Sequence, residues 1–458
     1  MQLKRLLFLA FVLLITAACS GDIEYVPPVN SNPGNGSGNT SDGATMAGLA
    51  VPNGDFSQKV SFDGKEGGWR RESVWYSERA KMTYHTSGGR KNSACIEISC
   101  IDGSKTTDAP LVQKVSGFEP GKVYKISAYI KTEGIDKGRG GSVGVFDRRG
   151  FIASAPLTGT NDWTLRTVLY VAEHETADVC CRLGFWGGDS QGRAMFDDVR
   201  VTIPTDIYTQ ESEHNILHLT KSLVTVSDAA IQSWLARLDA IYESYCELFD
   251  FFKPFGGKKS VILSNLPVST AWAIAGYPIQ WHPDYIKSAL EDMAKYDDAV
   301  FGIMHEMGHN FAPSNYNSGT YNEGNNSWNW NEELFANFRM YYALCHNDFN
   351  VYMHDRIFVG SEISQMYHKF YLETLAAGKP TDGDGLMYVM TRMADAEGWE
   401  PFKRAFKELY NMDPSISCGS TKWKKIEYFF DVVSKYAGKD LMSAYFSEEE
   451  IALLKTLE

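Results

Sequence analysis

Three patterns of apolar and polar positions succeed one another along the chain. Residues 26–48 hold Pro27-Pro28 and then Asn, Gly, Ser and Thr, with hardly an apolar side chain. Such a stretch cannot bury enough surface to offset its ordering entropy and reads as a flexible tether. From about 49 to 205, short segments of alternating polarity are separated by glycine and proline turns, as in Val123–Ile130 and Thr164–Val171. No amphipathic run of helical length interrupts them, which predicts an all-β sandwich of jelly-roll type. From about 206 the period turns helical. Asp228 to Phe252 carries Ile231, Leu235, Leu238, Ile241, Tyr242, Tyr245, Leu248 and Phe249 on one face. Ser260–Leu263 reads as a short buried strand. Ala273–Gln280 reads as another, at a sheet edge because Pro278 cannot donate to a ladder. The rest of this region is expected to be mainly helical, an α+β domain.

The 458 residues are too many for one ordinary domain, and 44% hydrophobic with 22% charged residues is enough to build real cores. The formal charge of −13 argues against nucleic acid or an anionic membrane surface as the main partner. Beyond Cys19 seven cysteines remain, an odd number without a C-x-x-C pair. They are expected to be small buried hydrophobes rather than a disulfide framework.

The start of the chain changes the picture. Lys4 and Arg5 precede an apolar run, Leu6–Ile15, too short for a normal membrane span. It ends in Thr16-Ala17-Ala18-Cys19, which resembles a bacterial lipobox with threonine where leucine is usual. The resemblance implies cleavage before Cys19 and lipid on that cysteine; an ordinary secretory cut near Ala18 is the alternative. Asp22 and Glu24 resemble the surface-export signal of Bacteroides-type lipoproteins. The expected layout is a signal peptide at 1–18, a tether at 19–48, a sandwich at 49–205 and a second domain at 206–458. The expected location is the outer membrane, reached through a lipid anchor only and exposed at the cell surface.

Within the sandwich region the order of short motifs is informative. Asn53-Gly54-Asp55-Phe56, Trp69, Gln113-Lys114-Val115, Pro120-Gly121-Lys122-Val123-Tyr124, Trp163 and Met195-Phe196-Asp197-Asp198-Val199 follow one another. This order resembles the carbohydrate-binding jelly rolls attached to many polysaccharide-degrading enzymes. The resemblance implies glycan binding and a structural Ca2+ near Asp197-Asp198. Trp69, Trp75, Tyr76 and Trp186 are candidates for stacking on sugar rings, although each residue type also serves core or rim packing. A spacer or docking role is the rival use of this domain.

The chemistry is concentrated after residue 300. Asp297 to His309 is an apolar segment, expected to be helical, that bears the H-E-x-x-H pattern at His305, Glu306 and His309. Histidines four apart lie on one helix face, so both imidazoles can reach one Zn2+. The adjacent Glu306 can then act as general base on water at the open coordination position. Phe301, Ile303, Met304, Met307 and Phe311 speak against a salt-bridged surface helix, because they would bury both histidines without partners. A catalytic zinc needs a third protein ligand. Trp328 to Asn337 begins the next predicted helix and offers Glu332 and Glu333. Glu333-Leu334-Phe335-Ala336 resembles the arrangement of glutamate-zincins, whose third ligand precedes an apolar, small-residue face. The resemblance implies Glu333, leaves Glu332 as an exposed first-turn acid, and lets Asn337 orient a ligand from behind.

The joint pattern of H-E-x-G-H, Asn310 and a glutamate after 23 intervening residues, preceded by Ala275-Gly276-Tyr277-Pro278-Ile279, resembles the enhancin-like mucin-targeting zinc metallopeptidases. The resemblance covers about 207 to 458. It implies a gluzincin fold and endopeptidase cleavage beside O-glycosylated Ser or Thr in mucin-like glycoproteins. Gly276 and Tyr277 would belong to the edge that pairs with substrate, and Trp328, Trp330, Asn326 and Asn337 lie nearest for substrate contacts. Tyr367, His368, Tyr371 and Tyr388 are open choices for the donor to the oxyanion. An aminopeptidase-like gluzincin is the nearest rival, though no G-x-M-E-N-type signature lies upstream. A non-catalytic glycan-binding lipoprotein is the rival of another class.

Overall fold

A computed structural model of the protein describes residues 47–458 except 103–104, 137, 147–151, 186–189, 266–270 and 314–324. The signal peptide at 1–18, Cys19, most of the tether and Trp186 lie outside the described residues. Two compact units divide the chain, one made of the described residues up to Ile207 together with Ser264–Thr270 and one made of Tyr208–Leu263 and Ala271–Glu458.

The first unit is built of short antiparallel strands: β1 (Gly48–Leu49), β2 (Arg70–Arg71), β3 (Ala80–His85), β4 (Cys95–Cys100), β5 (Ala109–Ser116), β6 (Val123–Ile135), β7 (Gly141–Val145), β8 (Gly159–Val171), β9 (Thr176–Leu183) and β10 (Arg193–Thr202). One sheet runs β3-β4-β10-β6-β8 with β1 added to β10, and the other runs β2-β5-β9-β7. Alternation on β6 works as read: Tyr124, Ile126, Ala128 and Ile130 are buried, and the residues between them are half-exposed. These side chains meet Leu111, Val115, Val179, Cys181 and Leu183 of the other sheet in one core. The alternation on β8 holds only partly, because Val168 through Val171 are all buried.

The Asp197-Asp198 pair sits on a β-bulge of β10, with Asp198 at φ 51°. Here the expectation of Ca2+ meets donors. Asp197 accepts from the Arg90 N–H at 2.8 Å and the Ser93 hydroxyl at 2.6 Å, and its other oxygen accepts from the Asp198 N–H. Asp198 pairs with Arg90 and Arg200. The pair is thus satisfied by N–H and O–H groups. All seven cysteines among the described residues are free, and five of them are buried.

The second unit mixes a small sheet with helices. Its strands are β11 (Ile207–Glu211), β12 (Asn215–Thr220), β13 (Ser260–Ser264), β14 (Ala273–Ile274) and β15 (Ile279–Trp281), in the spatial order β11-β12-β13-β15-β14. The stretch read as one strand over 273–280 is therefore two. Positive φ at Gly276 breaks it into a tight hairpin, whose first arm, β14, forms the sheet edge. Helix α1 (Asp228–Leu248) opens on a Ser227 cap and stops earlier than read, because Asp250 and Phe251 turn left-handed. After α2 (Pro283–Tyr296) the motif helix, α3 (Phe301–Asn310), begins four residues later than read. Asp297 and Val300 have positive φ, and the buried Asp298 caps the gap by accepting from the Val300 and Tyr352 N–H groups. Helix α4 (Glu332–Asn347) follows, capped by the Asn331 side chain. A two-stranded hairpin, β16 (Asn350–Met353) and β17 (Arg356–Val359), leads into α5 (Ser364–Ala376), α6 (Asp384–Glu397) and α7 (Glu400–Tyr410). The last helices are α8 (Lys422–Ala437), α9 (Leu441–Tyr445) and α10 (Glu448–Leu454). No helix among the described residues is long and apolar enough to cross a membrane.

Candidate metal centre

Helix α3 is held on several sides before any ligand is considered. The Tyr245 hydroxyl of α1 donates to the Met304 carbonyl at 3.0 Å, and Trp234 donates to the Ala299 carbonyl just ahead of the helix. Gly308 lets α4 come close: a Cβ there would lie 3.0 Å from the Ala336 carbonyl oxygen. With the helices so near, side chains of both can meet at one point.

Three do. The Nε2 atoms of His305 and His309 are 3.0 Å apart, and Glu333 Oε2 lies 3.0 Å from the first and 3.5 Å from the second. A tetrahedral zinc with bonds of about 2.0–2.1 Å requires donor separations of about 3.3 Å. The tautomers agree. Asn337 Oδ1 accepts from His305 Nδ1 at 2.9 Å, which leaves Nε2 as a bare lone pair aimed at the meeting point. His309 Nδ1 faces Glu332 Oε1 at 3.5 Å. The second Glu333 oxygen is buried and has no hydrogen-bond partner among the described residues. Burial opposes a charge on His309, yet the Glu333 and Glu332 carboxylates push the ring up to about 10. Burial also opposes the Glu333 anion, but the two imidazoles hold it well below the usual range. The meeting point therefore favours positive charge, which a proton on His309 supplies and a metal ion in its place would supply as well.

Glu332 corrects its reading as an exposed acid. It is nearly buried and paired with Arg339, which itself has no exposure. Arg339 also donates to the Gly308 carbonyl at 3.1 Å and contacts the Tyr410 hydroxyl, which in turn donates to the Phe311 carbonyl. Glu332 thus faces the back of His309 while Glu333 faces its front.

Glu306 is half-buried on the next face of α3. Burial raises its carboxyl, with His305, His309 and the backbone N–H of Ala275 pulling the other way. That N–H belongs to the β14–β15 hairpin, so the hairpin edge stands beside Glu306. At the end of the helix the Asn310 amide donates to the Gly276 carbonyl at 3.1 Å.

The remaining sequence candidates fall elsewhere. Trp328 is fully buried, donates to the Asn325 carbonyl and packs on Phe335 and Phe429. Trp330 is 7% exposed and donates to the Asp382 carbonyl. Both are core residues, since their apolar rings and their N–H groups are fully used inside the fold. Asn337 is spent on His305, and Tyr277 is buried against Phe255. Among the oxyanion choices, Tyr371 donates to Glu450 at 2.6 Å, His368 stacks on Tyr388, and the Tyr367 hydroxyl is buried without a partner among the described residues. In the sandwich Trp69 is core, donating to the Asn53 carbonyl, whereas Trp75 and Tyr76 are 67% and 42% exposed.

Two residues near the metal point were not singled out from sequence. Asp384 opens α6; burial raises it to about 6, with His305 lowering and Glu333 raising it. Arg339 is the other, and its signal was its spacing of seven from Glu332, which puts both on one helix face. Among the described residues a second group, Glu213, His214 and Glu243, also gathers, with both glutamates exposed.

No known family profile matches the chain. Among curated proteins, TRPM8 channel-associated factor 2 of Homo sapiens is 25% identical over 120 residues, and that of Bos taurus 24%. The match takes in 26% of this chain and 11% of the relative, so the chain spans only about a tenth of their length. Among solved structures, a metallopeptidase from Bacteroides thetaiotaomicron is 11% identical, with 74% of this chain and 60% of that one covered and a TM-score of 0.37. A CBM4 structure is 19% identical over 34% of this chain and all of that one, with a TM-score of 0.25. TmCBM61, solved with β-1,4-galactotriose, is 14% identical over 34% of this chain and 99% of that one, with a TM-score of 0.24. Likenesses of this size assign no reaction.

Proposed function

We propose that the protein is a zinc-dependent endopeptidase that cleaves O-glycosylated, mucin-like glycoproteins, with the sandwich as its carbohydrate-targeting part and a lipid on Cys19 as its anchor. One observation carries the peptidase reading: two imidazole nitrogens and a carboxylate oxygen converge beside Glu306 and the hairpin whose β14 arm is the outer strand of the sheet among the described residues. His305, His309 and Glu333 would hold the metal. Zinc supplies a Lewis acid that polarises the scissile carbonyl and makes water more acidic. Glu306 takes a proton from water as its oxygen bonds to the carbonyl carbon. It returns that proton to the amine nitrogen as the C–N bond breaks. The edge at Ala273–Ile274 offers backbone groups to an extended peptide, which would align the scissile bond with the base. Mucin-like selectivity rests on the motif resemblance and on the open Trp75 and Tyr76, whose rings can stack on sugars.

The experiment is to incubate the purified protein with native and deglycosylated mucin and to map the cuts by mass spectrometry. Internal cuts beside glycosylated Ser or Thr, lost on deglycosylation and on chelation, are expected. Sequential release from the N-terminus would turn the reading to an aminopeptidase. A protein that binds no metal and cuts neither mucin would sink the peptidase reading altogether.

A further inference from the structure

The β14–β15 hairpin is anchored in the sheet through β15, which pairs with β13, while β14 is its outer arm. Its arms pair through Ala273 with Trp281 and Ile274 with Gln280, the His282 N–H donates to the Trp272 carbonyl beyond them, and its turn contains Gly276 at φ 138°. A two-residue edge strand contributes few ladder bonds, and such segments sit at the low end of local stability. Helix α3 grips this turn at two points one helical turn apart. Glu306 meets the Ala275 N–H, and Asn310, four residues on and on the same face, donates its amide to the Gly276 carbonyl at 3.1 Å. Asn310 is 1% exposed, so this bond is shielded from competing water. Losing it would leave a buried carbonyl without its donor.

We propose that Asn310 is a positioning residue: its buried amide fixes the Gly276 carbonyl and thereby holds the Ala273–Ile274 edge in register with Glu306. The chain uses one helix for two tasks, presenting the base and setting the height of the edge against which a peptide would lie. This role rests on the peptidase reading above. It acts through the backbone of residues 273–276, so Asn310 itself touches neither substrate nor metal. Its effect is on alignment, and small misplacements of a bound bond relative to a base cost rate steeply.

The test compares full-length wild type, Asn310→Asp, Asn310→Ala and Glu306→Gln. Asn310→Asp keeps the shape but replaces the donor with an acceptor facing a carbonyl, and Asn310→Ala removes the donor without burying a charge. Zinc content, Tm, steady-state cleavage of a short O-glycopeptide and amide hydrogen exchange at Ala275 are measured on each. Both Asn310 variants are expected to hold one zinc per chain, to exchange the Ala275 amide faster, and to lose about ten- to a hundredfold in kcat. A purely structural Asn310 would lower Tm and leave kcat of the folded enzyme unchanged. Wild-type kcat in either folded variant, or failure of both to fold, overturns the proposal. If the wild type itself cleaves nothing, it is the peptidase reading that falls; unchanged Ala275 exchange would then overturn the grip as well.

Discussion

Two adjacent glutamates open α4, and a helix turns by about 100° per residue, so they cannot face the same way. Arg339 decides between them. It lies two turns beyond Glu332, is wholly buried, and claims that carboxylate, leaving Glu333 to face the histidines. The choice was open in the sequence because both acids fit the spacing, and Arg339, whose pairing with Glu332 separates their surroundings, was not considered. His305, Glu306 and His309 were legible because an apolar helix cannot bury two histidines without a reason. Glu333→Ala should lose zinc, read by metal analysis of the purified protein. Glu332→Gln should keep it with an affinity about 10–100-fold weaker, as for other carboxylates behind a ligating histidine. Glu332→Ala would also strand the buried Arg339 charge and should cost about 3–5 kcal/mol of stability. Zinc lost from Glu332→Gln but held by Glu333→Ala would exchange the two roles. For the base, Glu306→Gln should hold zinc and fold normally while cleavage falls by about 10²–10⁴. Near-wild-type turnover in that variant would take the proton transfer away from Glu306.

At the scale of elements, the close approach of α3 and α4 brings donors from both helices to one point. Gly308 makes it possible, although glycine inside a helix costs about 1 kcal/mol relative to alanine. A Cβ there would meet the Ala336 carbonyl oxygen at 3.0 Å and its Cα at 3.4 Å, so one helix would have to give way. Overpacking of this kind costs about 1–3 kcal/mol, which outweighs the gain in helix propensity. Gly308→Ala should therefore lower Tm and weaken zinc binding together. A raised Tm with unchanged zinc affinity would show that the helices have room to spare. The glycine was visible in the H-E-x-G-H pattern, but its partner was not, because Ala336 is brought to it by tertiary packing alone. The same limit explains the hairpin. Ala273–Gln280 has the apolar character of one strand, and only the backbone at Gly276 divides it. Element boundaries failed where local backbone signals overruled the apolar period, as at Val300 and Asp250. Alternation and helical faces survived wherever one side of an element met a core.

For the whole molecule, the converging His305, His309 and Glu333 and the exposed Trp75 and Tyr76 belong to different units, and that separation carries the last prediction. Among its described residues the sandwich gathers no group of His, Cys, Asp and Glu that could hold a metal ion, and its buried Asp108–Arg182 pair is bidentate at 2.7 Å. What it does offer is Trp75 and Tyr76 in the open. Their turn is pinned: the Tyr76 carbonyl accepts from the Thr107 hydroxyl at 2.9 Å and from the Arg79 N–H, and the Arg79 guanidinium lies 3.6 Å over the Tyr76 ring. A large aromatic held rigidly in water costs little entropy to engage, which suits it to stacking on a sugar ring. If this is how the sandwich works, its contribution is local concentration on a large glycosylated substrate and not chemistry. The full-length double variant Trp75→Ala/Tyr76→Ala should then cleave a short soluble glycopeptide at the wild-type rate. It should cleave intact mucin more slowly and be retained less on immobilised mucin, by about tenfold or more at low enzyme concentration. Unchanged retention and mucin cleavage would exclude these two rings as the sugar platform. Loss of small-glycopeptide cleavage in a variant that still folds and binds zinc would mean that the sandwich shapes catalysis itself, and targeting by concentration would be the wrong account of it.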